Sequence, residues 1–277
     1  MKRAITAGIG ALALAGISLP AAAADLGARP IGKAPAMAPV AAFSWTGCHI
    51  GGNIGYGWSG NNDMILAPNI DAASQAFWNP AFNAGAAPRL FPLDPTGVVG
   101  GGQVGCDWQM GAFVLGIEAD FQGSDVKDAV AITTNVPPFV PGTFSASQKL
   151  DWFGTVRGRL GFSAGQFLFY GTGGLAYGRV KYGLNFAFPA SNDFHNIALS
   201  NTETGWTAGV GLEWAFAPNW SVKAEYLFID LGDTTIVTTP SGRAANVATT
   251  LLANYGNEYH VARVGVNWRF GSLFGTP

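Results

Sequence analysis

The chain is poor in charge. Asp, Glu, Lys and Arg make up only 12% of its 277 residues, about half the fraction usual in a soluble domain. The charges nearly cancel, to a formal −2, and no stretch concentrates Lys or Arg. A nucleic-acid partner, which needs a basic face, is excluded on that ground. Beyond residue 20 there is no uncharged apolar run of the roughly 18 residues a membrane-spanning helix requires. Cysteine is limited to two residues and histidine to three, and neither C-x-x-C nor H-E-x-x-H occurs. The usual metal-ligand spacings are therefore missing. No Ser, His and acid are grouped as nucleophilic chemistry demands. The reading is a non-enzyme with no catalytic residues, no metal and no cofactor.

What is present points elsewhere. Glycine is abundant at 39 residues and aromatics reach 13%. Lys2 and Arg3 precede an uncharged stretch, Ala4 to Leu19, which Pro20 breaks before Ala21–Ala24. This reads as a cleaved secretory signal peptide, residues 1–23, with cleavage after Ala23 or Ala24. Residues 24–43, with Pro30, Pro35 and Pro39 among small residues, have neither helix nor strand periodicity and read as a periplasmic leader.

From residue 44 the dominant signal is a period of two. In Glu258 to Phe270, the residues His260, Ala262, Val264, Val266, Trp268 and Phe270 share one side. Tyr259, Val261, Arg263, Gly265, Asn267 and Arg269 share the other. Comparable segments occupy 44–59, 98–109, 112–122, 149–162, 166–186, 203–216 and 220–230, which makes eight. In 149–162, Leu150, Trp152, Val156, Leu160 and Phe162 oppose Asp151, Thr155, Arg157 and Arg159. In the far half of 166–186, Val180, Tyr182, Leu184 and Phe186 oppose Arg179, Lys181, Gly183 and Asn185.

The connections alternate. Tight turns are expected around 110–111, 163–165 and 217–219, and long loops over 60–97, 123–148, 187–202 and 231–257. The predicted fold is all-β, an eight-stranded antiparallel up-and-down transmembrane β-barrel over 44–270. Its short turns are periplasmic and its long loops extracellular, with 271–277 as a C-terminal tail. A soluble lipocalin-like barrel would need its polar face outside. Here eight strands leave an interior just wide enough for side chains, so large aromatics belong outside and glycines inside. Trp45, Trp58, Trp108, Trp152, Trp206, Trp214, Trp220 and Trp268 lie near segment ends, as interfacial girdles require.

The polar face collects Asp107, Glu118, Asp120, Asp151, Arg157, Arg159, Glu213, Lys223, Glu225, Arg263 and Arg269. Six acids and five bases in one narrow tube must pair or bear a desolvation cost of several kcal/mol each. Two readings follow: a salt-bridge plug that closes the tube, favoured for eight strands, or a charged constriction of a pore. Cys48 and Cys106 fall on the lipid-facing set near the periplasmic ends of the first two strands. In an oxidising compartment they are expected to bridge if 48 sits opposite 106, the alternative being two free thiols. His49 is expected to hydrogen-bond in the lumen, His195 to lie in a loop and His260 on the lipid face. The first long loop holds Phe77, Trp78, Phe82 and Phe91 and is expected to fold over the barrel mouth.

The motifs Ser44-Trp45-Thr46-Gly47 and Gly51-Gly52-Asn53-Ile54-Gly55-Tyr56-Gly57-Trp58 resemble a known first strand. Gly100–Gly105 (GGGQVG), Val156–Gly161 (VRGRLG), Gly173–Gly178 (GGLAYG), Ala224-Glu225-Tyr226 and Val264–Phe270 (VGVNWRF) match further strands. The family is the small outer-membrane β-barrel proteins of alphaproteobacteria, porin-family proteins related to the OmpA transmembrane barrel. The resemblance covers nearly all of the chain after the leader. It implies the bacterial cell outer membrane as location, and outer-membrane lipid, lipopolysaccharide and the barrel assembly machinery as partners. It also implies a role in envelope integrity with surface presentation. A narrow porin, or a surface receptor for haem or host and phage components, are the alternatives, and any extracellular ligand stays open. The assembly signal of such barrels is a final aromatic; Phe270 fits, and so does Phe274 in the seven-residue extension.

Overall fold

The structure is a computed structural model, which describes residues 43–189, 193–238, 241–242 and 249–271. The expected signal peptide 1–23, the leader as far as residue 42, and the tail from residue 272 with Phe274 lie outside the described residues. In chain order the elements are β1 (Gly47–Ser59), β2 (Met64–Pro68), α1 (Ala72–Asn83), β3 (Leu90–Phe91), β4 (Thr96–Met110), β5 (Phe113–Thr134) and β6 (Gly142–Ala164). They continue with β7 (Phe167–Phe188), β8 (Asp193–Ala217), β9 (Trp220–Asp230), β10 (Thr234–Thr238), β11 (Ser241–Gly242), β12 (Leu251–Tyr255) and β13 (Glu258–Phe270).

Eight of these strands close a ring: β1, β4, β5, β6, β7, β8, β9 and β13. Each pairs antiparallel with the next, and β13 returns to β1. At one end the hairpins are tight, and Gly111 and Gly165 supply the positive φ that two of the turns need (64° each).

The outer face carries a belt of exposed apolar side chains whose height matches a bilayer. Phe113 and Phe121 bound it on β5, Phe169 and Tyr177 on β7, Trp206 and Trp214 on β8, Trp220 and Phe228 on β9, His260 and Trp268 on β13. Every such pair is eight positions apart, which gives the span of about 9–11 residues that a tilted strand needs to cross. Neighbouring rings touch along both rims: Phe121–Trp152 at 5.3 Å and Trp206–Phe228 at 5.3 Å on one, Phe113–Phe162 and Phe167–Trp214 at 6.2 Å on the other.

Past the upper rim the strands continue but the polarity of their faces inverts. On β5 the inward side chains are Glu118, Asp120 and Gln122 within the belt, then Val126, Val130 and Ile132 above it. The outward ones change from Leu115, Ile117 and Phe121 to Asp125, Lys127 and Thr133. This overturns two expectations. The expected long loops 123–148 and 187–202 are largely strand: β5 runs on to Thr134 and β6 begins at Gly142, while β7 runs to Phe188 and β8 begins at Asp193. Val180, Tyr182, Leu184 and Phe186 point into the molecule rather than to lipid, each at most 3% exposed. An apolar-out template fails there because outside the bilayer water, not lipid, surrounds the barrel, and apolar residues gain by facing inward.

The described parts of the remaining long connections, 60–95, 231–238 and 249–257, fold into a cap. β10, β12, β2 and β3 form a second antiparallel sheet. In α1 the Asp71 carboxylate caps the first turn by accepting from the Ser74 amide (2.7 Å). Ser74, Trp78 and Phe82, spaced four apart, form the buried stripe. Trp78, Phe82, Met64, Leu66, Phe91, Leu251 and Tyr255 share one core with Val126, Phe144, Val180 and Phe186 of the strand extensions. Burial pushes the Tyr182 hydroxyl up to about 12, so it stays protonated within hydrogen-bond distance of Thr234 Oγ1 (3.0 Å) and Asn257 Oδ1 (2.9 Å).

Candidate functional site

The belt segments of the barrel turn their polar faces to the lumen, and the antiparallel register puts opposite charges side by side. Glu118 stands opposite Arg157, Glu213 opposite Lys223, and Glu225 opposite Arg263. Glu118 is the hub. Its Oε1 lies 2.7 Å from both Arg157 Nη2 and Lys223 Nζ, and its Oε2 3.2 Å from Arg159 Nη1 and His49 Nε2. Glu225 accepts from Arg157 Nη1 (3.0 Å), Arg263 Nε (2.8 Å) and the Tyr170 hydroxyl (3.0 Å). Asp120 takes Arg157 and Arg263, at 2.9 and 2.8 Å, and the Thr155 hydroxyl. Glu213 takes Arg159 (2.7 Å), Ser221 (2.6 Å) and Asn267 (3.0 Å). Asp107 holds Arg269 at 2.9 Å.

Ten of the eleven expected luminal charges thus meet in one cluster, and all ten are buried. Asp151 is the correction. A register shift in the β6–β7 ladder between Leu150 and Trp152 reverses the alternation, so Leu150 turns inward (1% exposed) and Asp151 outward. Asp151 pairs with Lys181 (2.6 Å) and Lys149 (3.6 Å) on the outer surface. What remains inside is five acids and five bases, a formally neutral set. Glycines make room for it. A Cβ on Gly116 would stand 2.1 Å from Asp107 Oδ1, and one on Gly105 2.7 Å from the His49 ring. Tyr170, Gln103, Ser221 and Asn267 belong to the same network but were not singled out from the sequence. Their signal is parity alone: Gln103, Ser221 and Asn267 fall on the inward phase of strands that bear a luminal charge, and Tyr170 on the inward phase of β7, which bears none.

Below the charges lies Trp45, assigned from sequence to an interfacial girdle. The structure corrects this: Trp45 is wholly buried with Val114, Leu168, Tyr170 and Ala215, and Phe43 packs against it. Its indole N–H donates to the Gly165 carbonyl (3.2 Å), and its own carbonyl accepts from Arg269 Nη1 (2.8 Å). The Arg269 guanidinium also lies 4.6 Å over the indole. Trp45 precedes β1, so nothing holds it to the strand's alternation, and it folds back across the opening.

Cys48 and Cys106 face each other in the β1–β4 register and form a disulfide. Cys48 keeps the outward phase of Ile50 and Ile54, but between its cross-strand neighbours Cys106 and Phe270 it is only 3% exposed. Phe270 ends β13 opposite Cys48, half-buried, with its ring 5.4 Å from Trp268. Among the described residues no group of three or more His, Cys, Asp or Glu is placed to hold a metal ion.

The family described as outer membrane protein beta-barrel domain matches residues 9–270. The chain belongs to this outer-membrane β-barrel family. It is 38% identical over 240 residues to the 31 kDa outer-membrane immunogenic protein of Brucella melitensis, covering 86% of this chain and 89% of that protein. It is 35% identical over 134 residues to the 22 kDa outer membrane protein of Rhizobium leguminosarum bv. viciae, covering 47% and 52%. Among solved structures, the outer membrane protein OprG of Pseudomonas aeruginosa aligns over 83% of this chain and 99% of its own, with a TM-score of 0.41 and 11% identity.

As an outer-membrane barrel the chain lies in the outer membrane with its apolar belt in lipid. The tight turns then face the periplasm, and the cap stands outside. On this outer-membrane barrel His260 belongs to the upper aromatic rim, stacked on Trp58 and Tyr226. His195, expected in a loop, lies instead on the extension of β8, buried beside Trp78 of the cap and Phe186 of β7. A cleft of about 340 Å³ opens in the cap between α1, the 135–141 turn and the ends of β6 and β7, with Phe77, Trp78, Phe139, Phe144, Phe188 and His195 among its walls.

Proposed function

We propose that the protein is a non-conducting barrel that braces the outer membrane and holds a folded cap at the cell surface. The observation that carries this is the neutral, buried network of five acids and five bases, with apolar packing beneath it at Trp45 and above it at Leu227, Ile229 and Val261. A pore lined by charge keeps those charges hydrated; here each carboxylate accepts from at least one cationic or hydroxyl donor within the protein. That arrangement supports the plug over the narrow porin. It also supports a structural role over an enzymatic one, because every luminal carboxylate is engaged in holding strands together.

The cap supports surface presentation. It shares a core with the strand extensions, so the barrel rigidly positions what it displays. The aromatic cleft favours a second reading, a surface receptor, because its size falls within the roughly 300–1,000 Å³ of small-molecule sites. Phe270, as the aromatic that ends the last strand, is read as the signal for the barrel assembly machinery.

The deciding experiment is single-channel recording of the refolded protein in planar bilayers, with a heat-modifiable gel shift to prove folding. Electrical silence is the expected result. Regular steps of reproducible size would mean that the network lines an open path, and the porin reading would replace the plug.

A further inference from the structure

Three lysines stand in one row on the outer surface, just above the upper aromatic rim. Lys127 of β5 is directly opposite Lys149 of β6, and Lys149 directly opposite Lys181 of β7. Like charges placed opposite each other in a ladder destabilise it, so a threefold repetition calls for a reason. Two carboxylates interleave with the row: Asp125 lies 3.0 Å from Lys127 and 3.4 Å from Lys149, and Asp151 lies 3.6 Å from Lys149 and 2.6 Å from Lys181. Lys127 and Lys181 remain more than half exposed. Closer to lipid, the Arg179 guanidinium lies 5.7 Å over the Trp152 ring, which belongs to the rim with Phe121 and Tyr177. Four cations therefore meet two carboxylates. Elsewhere on the rim the charge has the other sign, with Asp230 and Glu258 paired on β9 and β13.

Directly above the lysines the outward positions are all small. Ala129, Ser147, Gly183 and Ala198 are consecutive cross-strand partners on β5, β6, β7 and β8. With the lysines, Asp128, Gln148 and Tyr182 they line an open trough of about 590 Å³. Asp128 is turned away from the row, accepting from the Asp94 amide (2.9 Å). In order from the bilayer outward the surface offers aromatic rings, a guanidinium, a row of ammonium groups and a flat floor without bulky side chains. The order matches a lipid whose acyl chains sit in the belt, whose phosphate lies at the headgroup level and whose sugar projects beyond it.

We infer that the Lys127–Lys149–Lys181 row with its small-residue floor is a binding site for the phosphorylated saccharide headgroup of an outer-leaflet glycolipid. The inference deepens the partner class of an outer-membrane barrel and rests on its membrane placement. It does not depend on the lumen being sealed, so a conductance result leaves it untouched.

The test uses the detergent-solubilised full-length protein and immobilised lipopolysaccharide, either intact or chemically dephosphorylated. A lysine near a charged lipid surface contributes roughly fivefold in affinity. The triple variant Lys127→Gln/Lys149→Gln/Lys181→Gln is therefore expected to bind intact lipopolysaccharide about a hundredfold more weakly, and no better than it binds the dephosphorylated form. The triple Lys→Arg variant is expected to keep parental binding. Asp125→Asn/Asp151→Asn, which frees the lysines, is expected to tighten it. Should the triple Gln variant fail the heat-modifiability test for folding, Lys181→Gln alone is read on the same scale. Equal affinity of parent and Gln variants overturns the inference and leaves the ladder as an ion-pair brace. Complete displacement by millimolar inorganic phosphate overturns it in favour of a free-anion site.

Discussion

Glu118 and Arg157 stand directly opposite each other across the β5–β6 ladder, 2.7 Å apart, with neither side chain exposed to solvent. The pair is the centre of a network in which the other charges have more than one partner, except Lys223, which Glu118 alone holds at 2.7 Å. Removing one member leaves the others buried and uncompensated.

Glu118→Gln keeps the shape of the side chain and deletes its charge, leaving Arg157, Arg159 and Lys223 in excess. The expected loss is about 3–5 kcal/mol, the range for breaking one partner out of a buried ion pair. Asp151→Asn, at the exposed ladder, is expected to cost no more than about 1 kcal/mol. Urea unfolding in lipid vesicles compares the two. Equal, small shifts would mean that the lumen is solvated, and the plug would lose its physical basis.

How much of this was legible beforehand depended on which solvent each stretch of strand meets. Within the belt, alternation with aromatic ends placed all eight strands and brought ten of eleven luminal charges to the right face. Above the rim the same alternation continued with opposite polarity, and Val180, Tyr182, Leu184 and Phe186 were assigned to lipid when they pack against the cap. Nothing local in the sequence announces that boundary, because period-two patterns look alike in either medium. Asp151 was misplaced for a different reason: one shifted residue reverses every facing beyond it. Trp45 was misread because an indole near a strand end is equally at home in a rim or in a plug.

The polarity inversion predicts that the same substitution has opposite consequences on either side of the rim. Ile117→Lys places an ammonium in the lipid-facing belt, where about 2–4 kcal/mol is expected to be lost. Ala129→Lys lies on the outer face eight residues past the rim ring Phe121, and is expected to be neutral within about 0.5 kcal/mol. Val126→Lys points into the cap core (1% exposed), and is expected to loosen the cap while the belt still folds. Urea midpoints and protease resistance of the cap read the three. A neutral Ile117→Lys would sink the membrane placement of this segment.

The Cys48–Cys106 disulfide joins strands already held by a continuous ladder, from Gly47 opposite Asp107 to Trp58 opposite Thr96. The Cys48→Ser/Cys106→Ser variant is therefore expected to assemble. Its stability is expected to fall by up to about 4 kcal/mol, since the bond closes a loop of 58 residues in the unfolded chain. Heat-modifiability reads assembly, and urea midpoints with and without reductant read the loss. A double variant that never reaches the folded form would show that the bond guides assembly.

The proposed plug contains both the Trp45 indole and the charge network, and substitution at Trp45 separates the two. The indole fills the periplasmic opening, yet the charges above it are held by contacts that do not involve it, such as Arg159 to Glu213 and Arg157 to Glu225. Trp45→Ala removes a large buried ring, the surface under the Arg269 guanidinium and the bond to Gly165. The expected cost is about 3–5 kcal/mol, with faster amide exchange in the ladder around Arg269 and its partner His49. Conductance is expected to stay silent, because the neutral network still fills the tube. Regular current steps in Trp45→Ala would make this one side chain the seal, and the network merely the wall of a path that it stoppers.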